Sequence, residues 1–287
     1  MPDIIELVIH NDLNRYCAAV LPFVEMDEAE NGLFCGTLIS LKTHPLAKPP
    51  FMAEVKRNGE TIGAAFYSEI NLIVTRDLEA AARNLSESLK SAHIDLPGVV
   101  GPAESAESFA AEWARVRGCG HFLAMDQGLY RLTEIQSLEE VTGNMRVMTA
   151  SDIDLVAKWI HAFHVEVLPN QVHGIEQSRE NAQARVEQGM TFLWQVQERP
   201  VAMASLSRPT ARGISINAVY TPPEERRRGY ATALVAAVTR EGLRRGKEFC
   251  VLYTDLANPT SNSIYQKIGY RFIARSRNYR FVYGSEN

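Results

Sequence analysis

The sequence predicts a mixed α/β protein of two domains, each with a central mixed β-sheet flanked by helices. Its 287 residues exceed the length of a typical single domain, so two domains are the first expectation. Short runs with the apolar alternation of strands are interleaved with longer stretches that carry a helical apolar period. The element order in the first half is α, β, β, β, α, β, α, β, and the second half repeats it.

Local signals predict the elements of the first half. Residues 51–57 and 61–67 form two strand-like runs around Asn58-Gly59, which is a strong β-hairpin signal. Residues 4–24 are expected to hold one or two amphipathic segments, and residues 29–41 are expected to be irregular. The remaining expectations are strands at 70–74, 96–101 and within 121–132, and helices at 78–90 and 103–117.

The composition bounds the class of protein. The hydrophobic fraction of 46% is ordinary for a globular chain with a core, and no apolar run approaches the length of a bilayer span. We therefore expect no membrane partner, and the first residues lack the pattern of a signal peptide. The four cysteines are scattered without a CxxC pair, which argues against a metal site and suits a reducing, cytoplasmic location.

The net charge of −4 is unevenly distributed along the chain. Residues 1–140 hold 11 Lys+Arg and 21 Asp+Glu, giving −10, whereas residues 141–287 hold 19 and 13, giving +6. A basic second half favours an anionic cofactor, although chance surface composition is the simpler alternative. No nucleic acid partner is expected, because the pI is about 6.0 and no basic stripe carries interleaved aromatic residues.

The most informative stretch is a strand, a loop and a helix start at residues 214–246. Ile214 and Ile216 alternate with polar residues as in a strand, and the Pro222-Pro223 pair ends it because Pro cannot donate to a ladder. From residue 230 the apolar period is helical, and Gly246 is the expected stop.

The loop in this stretch has the chemistry of a phosphate site. A helix N-terminus presents unpaired N–H groups and the positive end of its dipole. Gly229 and Ala231 leave the backbone accessible, and Arg226, Arg227 and Arg228 add positive charge. The loop matches neither the Walker A nor the dinucleotide pattern. A solvated basic turn is the alternative.

A second informative segment follows the buried-strand run at residues 249–254. The intervening helix predicts a right-handed crossover and therefore a parallel strand pair. Asn258 is a candidate N-cap, with Pro259 at the first helical position. Tyr265 is rotated by about 100° from Ile264, so it need not face the core.

Together the two segments resemble the GCN5-related N-acetyltransferases, the GNAT superfamily. Arg226-x-x-Gly229-x-Ala231 is similar to the signature (Gln/Arg)-x-x-Gly-x-(Gly/Ala), and residues 258–270 are similar to the pattern Asn-x-x-(Ala/Ser)-x-x-x-Tyr-x-x-x-Gly-(Phe/Tyr). The resemblance covers about half of the chain. It implies acetyl-CoA as cosubstrate, no metal, and direct acetyl transfer to the amine of a small molecule or a peptide.

The resemblance also implies roles for individual residues. Tyr265 would be the general acid that protonates the leaving thiolate, and a backbone N–H beside Val219 would polarise the carbonyl. In this fold the two parallel strands splay apart, and the pantetheine arm pairs with the first of them. The residues expected to bind the cosubstrate are Val219, Tyr220, Thr221, Arg226, Arg227, Arg228, Gly229, Tyr230, Ala231, Thr232 and Asn258.

Several points stay open at the level of sequence. The general base could be His164, Glu166, Asp255 or water, and Tyr265 could be structural. Cys250 is expected to be a core residue. The alternatives to an N-acetyltransferase are a CoA-binding sensor or interaction module without catalysis, or a transferase of another acyl group. The acceptor and the oligomeric state are unknown.

The expected domains are residues 1–135, a linker at 136–144, and an acetyl-CoA-binding domain at 145–287. After Val74 the first half reads Thr75-Arg76-Asp77-Leu78-Glu79, with no Gly and with acids where a phosphate would lie. Residues 97–102 also resemble the first half of some bacterial tandem GNAT proteins. We therefore expect a degenerate GNAT-like domain without a phosphate loop, with an unrelated α+β domain as the alternative.

Overall fold

The computed structural model describes residues 4–43, 46, 49–67, 69–167 and 174–284. The chain divides into two compact units that interleave along the sequence. The first unit contains residues 1–129, 253–258 and 272–287, and the second contains residues 130–252 and 259–271. The domain ranges 1–135 and 145–287 stay a prediction, because compactness in space does not show which segments fold alone.

The first unit has a mixed sheet. Its strand order is β1-β2-β3-β4-β5-β12-β6, in which β4 and β5 run parallel and β12 pairs antiparallel with β5. The last strand of the chain therefore completes this unit. The strands are β1 (Ile5–His10), β2 (Phe51–Arg57), β3 (Glu60–Tyr67), β4 (Leu72–Val74), β5 (Gly98–Pro102), β6 (Gly120–Leu132) and β12 (Arg271–Val282).

Helices cover both faces of this sheet. α1 (Leu13–Val24) and α2 (Gly32–Thr43) share a core with Met52. α3 (Ala82–Ser91) and α4 (Ala103–Arg117) share the other core with Ala53 and Val55. Neighbouring residues of β2 thus serve opposite cores, as the period of two in a strand requires.

The hairpin predicted at Asn58-Gly59 is confirmed, with both residues at positive φ (53° and 87°) between β2 and β3. The expectation of an irregular segment at 29–41 is wrong, because α2 lies there. That helix is apolar around most of its circumference, so it shows no periodic contrast. β1 was also missed, since its ladder with β2 joins residues far apart in sequence.

The second unit repeats the arrangement. Its strand order is β11-β10-β9-β8-β7, and the predicted parallel pair β10–β11 is confirmed. One face carries α5 (Ile153–Val167) and α6 (Ile175–Gln188), and the other carries α7 (Tyr230–Arg244) and α8 (Pro259–Ile268). The strands are β7 (Asn144–Val147), β8 (Thr191–Val196), β9 (Arg199–Ser207), β10 (Gly213–Tyr220) and β11 (Phe249–Asp255).

The predicted mixed sheet flanked by helices is therefore confirmed in both units. The expected end of α7 is also found, because Gly246 is left-handed (φ 86°) directly after the helix. In the described part of the chain, no helix has the length and apolar character needed to cross a bilayer.

Candidate functional site

The end of β10 departs from a regular strand. Its ladder with β9 shifts register between Asn217 and Tyr220, so Ala218 and Val219 together face one residue of β9. Ala218 has φ 50°, a left-handed conformation that is uncommon for a residue with a side chain. This is a β-bulge, which interrupts the ladder. It falls at Val219, where a carbonyl-polarising N–H is expected.

β10 and β11 pair over a short distance. The parallel ladder joins residues 213–215 to residues 249–251, and in the described chain β10 has its further ladder partners on β9 alone. Three enclosed oxygens along β10 and just after it, Ser215 Oγ, Asn217 Oδ1 and Thr221 Oγ1, lack hydrogen-bond partners among the described residues. Enclosed polar atoms without partners are rare, and a row of them suits a ligand that brings its own donors and acceptors.

The N-terminus of α7 is open. Gly229 is its N-cap residue with φ 78°, and no side chain caps the helix. The first amides of an α-helix have no partner within it, so those of residues 230–232 are available. Residues 226–229 are exposed and residues 230–232 are half-buried, so an anion can reach these amides.

A cleft of about 420 Å³ opens at this helix start. Its volume lies in the range of small-molecule sites. Its lining includes the basic side chains of Arg228 and Lys267 and the acidic linker residues Glu139 and Glu140. The remaining lining residues are Leu138, Val141, Thr142, Gly229, Tyr230, Thr232 and Ala233.

The three arginines of the loop have different surroundings. Arg228 lines the cleft, and its Nη1 lies 3.2 Å from Oε2 of the buried Glu225. Glu225 also pairs with Arg199 of β9, so these ion pairs connect the loop to the neighbouring strand. Arg227 is exposed with φ 64°. Arg226 pairs instead with Glu166 of α5, at 2.7 Å.

Tyr265 lies in the core on the α7 side of the sheet. Its side chain is 8% exposed, and its ring packs edge-on against Tyr270 with 6.2 Å between centroids. Burial raises the pKa of its phenol to about 12. The sequence left Tyr265 free to lie off the core, and the structure places it inside. Its role as general acid stays a prediction.

The remaining candidates for a general base, a cosubstrate contact or a nucleophile differ in their surroundings. Glu166 is held by Arg226, and Asp255 Oδ1 accepts a hydrogen bond from the Ala257 N–H at 2.8 Å. His164 is half-buried, and Asn258 is exposed just before α8. Cys250 is fully buried, and burial raises its thiol pKa to about 12, so the expected core role is confirmed.

Sequence reasoning missed three residues of this site. Val141 belongs to the linker, and nothing local indicates that it contacts a glycine 88 positions later. Glu225 was not assigned as a buried support for the loop. Lys267 of α8 also lines the cleft, and it falls at an unspecified position of the matched pattern, so the pattern gave no signal for it.

The corresponding place in the first unit is closed. A Cβ on Gly101 of β5 would lie 2.4 Å from the Val74 carbonyl oxygen, so the two parallel strands stay close there. The cavity that Val74 and Gly101 help to line measures about 30 Å³, room for only one or two waters. Arg76 is paired with Asp27 and Asp77. These features support the predicted absence of a phosphate loop, which remains a prediction.

Comparison with known proteins finds one family model that matches part of the chain. The model of the Acetyltransferase (GNAT) family matches residues 156–270, which contain the bulge, the arginine loop and Tyr265. Residues 156–270 are a GNAT domain. No curated protein sequence matches the chain. The family match indicates acyl transfer from an acyl-CoA as the general class of reaction.

Solved structures share the GNAT fold over nearly the whole chain. A GCN5-related N-acetyltransferase from Sphaerobacter thermophilus has 16% identity and a TM-score of 0.62, covering 96% of this chain and 95% of its own. A Drosophila protein has 15% identity and a TM-score of 0.62, covering 98% and 99%. A tandem GNAT protein from the clavulanic acid biosynthesis pathway has 11% identity and a TM-score of 0.56, covering 99% and 100%. At these identities the likeness shows the fold alone.

Proposed function

We propose that this GNAT protein is an acetyl-CoA-dependent N-acetyltransferase that moves the acetyl group directly to an amine. The observation that carries the proposal is the open cleft at the N-terminus of α7, where Gly229 and free backbone amides meet Arg228. A helix N-terminus beside a guanidinium is a site for a pyrophosphate. We also propose a cytoplasmic location, which four free cysteines support.

The residues present fit the cosubstrate. The amides of residues 229–232, with Arg227 and Arg228, would hold the pyrophosphate. The backbone of residues 219–221, beyond the point where β10 leaves β11, would pair with the amides of the pantetheine arm. The unpartnered side-chain oxygens of Ser215, Asn217 and Thr221 lie along this same stretch of backbone. Asn258 stays a further predicted contact.

The chemistry required of the protein is modest. Acetyl-CoA supplies an activated thioester, and a neutral amine forms the new C–N bond as the C–S bond breaks. The N–H at the bulge donates to the carbonyl oxygen as negative charge develops there. Tyr265 donates its proton to the departing sulfur, because a phenol with a pKa of about 12 is protonated at neutral pH. Water takes the proton that the amine loses.

Titration calorimetry with CoA tests the cosubstrate assignment. Arg228→Glu should weaken CoA binding by about tenfold or more, because it reverses a charge beside the phosphates. Arg240→Glu, on an exposed position of α7, makes the same charge change away from the cleft and should alter affinity less than about twofold. Equal CoA affinity in the wild type and Arg228→Glu would contradict the assignment of the CoA phosphates to this loop.

Release of free CoA thiol tests catalysis. An acidic first half favours cationic acceptors, so the amines offered should include polyamines, aminoglycosides and lysine peptides. Thiol release that depends on the amine supports the enzyme. CoA binding without thiol release on any amine, or with any acyl chain offered, would favour a CoA-binding sensor or interaction module.

A further inference from the structure

Glu166 occupies an unfavourable position for an acid. It lies in the last turn of α5, where the helix dipole is negative and a cation is the stabilising choice. A residue that violates a local preference needs a compensating contact, and such places tend to be functional. The compensating contact here comes from the arginine loop.

Arg226 supplies that contact through one nitrogen of its guanidinium, and a second nitrogen anchors the side chain to its own loop. Its Nη2 donates to both carboxylate oxygens of Glu166, at 3.0 and 2.7 Å, while its Nε donates to the carbonyl of Thr221 at 2.9 Å. The guanidinium also lies over the ring of Tyr220, 5.9 Å from its centroid. The Tyr220 hydroxyl lies 3.5 Å from the same carboxylate. We call Glu166, Tyr220 and Arg226 the latch.

The latch joins two parts of the site. Arg226 is three residues before Gly229, and Tyr220 follows the bulge of β10 directly. The Tyr220 ring also contacts Trp159 of α5, with 6.3 Å between centroids. The latch therefore fastens the last turn of α5 to the strand end and to the loop that leads into α7.

We infer that Arg226 is a positioning residue and not a phosphate ligand, and that the latch couples acyl-CoA binding to the ordering of the last turn of α5. This inference rests on the proposed function. An anion bound to the amides of residues 229–232 holds the loop in one conformation, which keeps Arg226 in place against Glu166. By linkage, an ordered α5 favours CoA to the same degree.

The expected size of the coupling follows from the exposure of the pair. The side chains of Arg226 and Glu166 are 45% and 41% exposed, so solvent screens their attraction. An ion pair of this kind changes an equilibrium by about fivefold at most. Loss of a phosphate ligand has a larger effect, about tenfold or more.

Calorimetry with CoA on latch variants distinguishes a positioning role of Arg226 from phosphate binding, because the two roles predict opposite changes of CoA affinity in Glu166→Gln. Under the inference, Glu166→Gln and Arg226→Gln each weaken CoA binding by about two- to fivefold, and the double variant is no weaker than either. If Arg226 binds phosphate, Arg226→Gln loses about tenfold or more. Glu166→Gln would then tighten binding, because it frees the guanidinium. That pair of results would overturn the inference.

Hydrogen exchange supplies a readout that a merely structural role would not move. CoA should protect the amides of residues 230–233 in both the wild type and Glu166→Gln. It should protect residues 164–167 in the wild type alone. Glu241→Gln is the matched control, because it breaks another Arg–carboxylate pair at the far end of α7. Protection of residues 164–167 that survives in Glu166→Gln would refute the coupling. Failure of the wild type to bind CoA would instead refute the proposed function.

Discussion

Val141 packs against Gly229 so closely that a Cβ added to the glycine would lie 3.1 Å from Val141 Cγ2. Gly229 also has φ 78°, a conformation that a residue with a side chain adopts at a cost of about 1–2 kcal/mol. Two independent constraints therefore favour glycine at the start of α7. One is local backbone strain, and the other is the linker wall of the cleft.

Gly229→Ala should weaken CoA binding by about tenfold or more, because strain and the Val141 contact both move the amides that hold phosphate. Gly246→Ala is the matched control, since Gly246 has φ 86° and open space around its Cβ position. Both variants should lose stability in thermal unfolding, Gly229→Ala at least as much as the control because of Val141, and Gly229→Ala alone should lose affinity in calorimetry. Unchanged affinity in Gly229→Ala would show that the phosphate lies elsewhere.

Tyr265→Phe should lower kcat by about tenfold or more while CoA affinity changes less than about twofold, because the variant removes only the proton donor. The ring remains in the core against Tyr270, so thermal stability should hold. Steady-state kinetics with an accepted amine, together with calorimetry, provide the measurement. An unchanged kcat would leave Tyr265 as a core residue without a catalytic part.

Tyr265 should also make stability fall at alkaline pH. Burial raises its pKa in the folded protein to about 12, above the value of 10.0 for an exposed tyrosine. Its contribution is complete below pH 10 and is lost as pH rises towards 12, because only the unfolded chain releases the proton in that window. Urea unfolding from pH 8 to pH 11.5 should show a smaller loss for Tyr265→Phe than for the wild type. Parallel curves would mean that the phenol ionises freely when folded.

Glu225→Gln should lower the free energy of unfolding by about 1–3 kcal/mol, because it leaves Arg199 and Arg228 without a carboxylate beside them. The Glu225 side chain is only 4% exposed, so water replaces the lost contacts poorly. The exposed neighbour Glu224 provides the control, and Glu224→Gln should change stability by less than about 0.5 kcal/mol. Equal unfolding midpoints in the two variants would contradict a supporting role for Glu225.

The parts of the fold that the sequence predicts best are governed by local rules. Asn58-Gly59 adopts the two positive φ angles of its turn, and Gly246 ends α7 by the same backbone freedom. The crossover between β10 and β11 follows from the helix between them. In each case neighbouring residues decide the conformation, so their identities suffice.

The parts that the sequence missed depend on distant residues. α2 has too little polar contrast to show a helical face, and β12 lies beside β5 because of packing that no local pattern encodes. Arg226 matches a phosphate-loop signature, yet the structure pairs it with Glu166, sixty positions earlier. Tyr265 sits at a position that the helical wheel left ambiguous, and it is enclosed by a core to which distant segments contribute.

The C-terminal strand β12 offers a way to test the predicted domain range 1–135. Tyr279 and Phe281 of β12 are buried in the core of the first unit, where Phe281 packs 6.1 Å from Trp113. Tyr283 extends this contact, since its hydroxyl accepts from Trp113 Nε1 at 3.0 Å and donates to the Leu96 carbonyl at 2.8 Å. A fragment of residues 1–135 lacks all three side chains and leaves β5 without its antiparallel partner.

We therefore expect the 1–135 fragment to be unfolded or aggregated, because it loses two buried aromatic rings and exposes a strand edge. A chimera that joins residues 1–129 through a Gly/Ser linker to residues 272–284 is the matched control. It restores β12, so it should show dispersed amide signals in NMR spectra and a cooperative thermal transition. Cooperative unfolding of the 1–135 fragment alone would mean that β12 is dispensable. The sequence-based boundary at residue 135 would then be the better description of the domain.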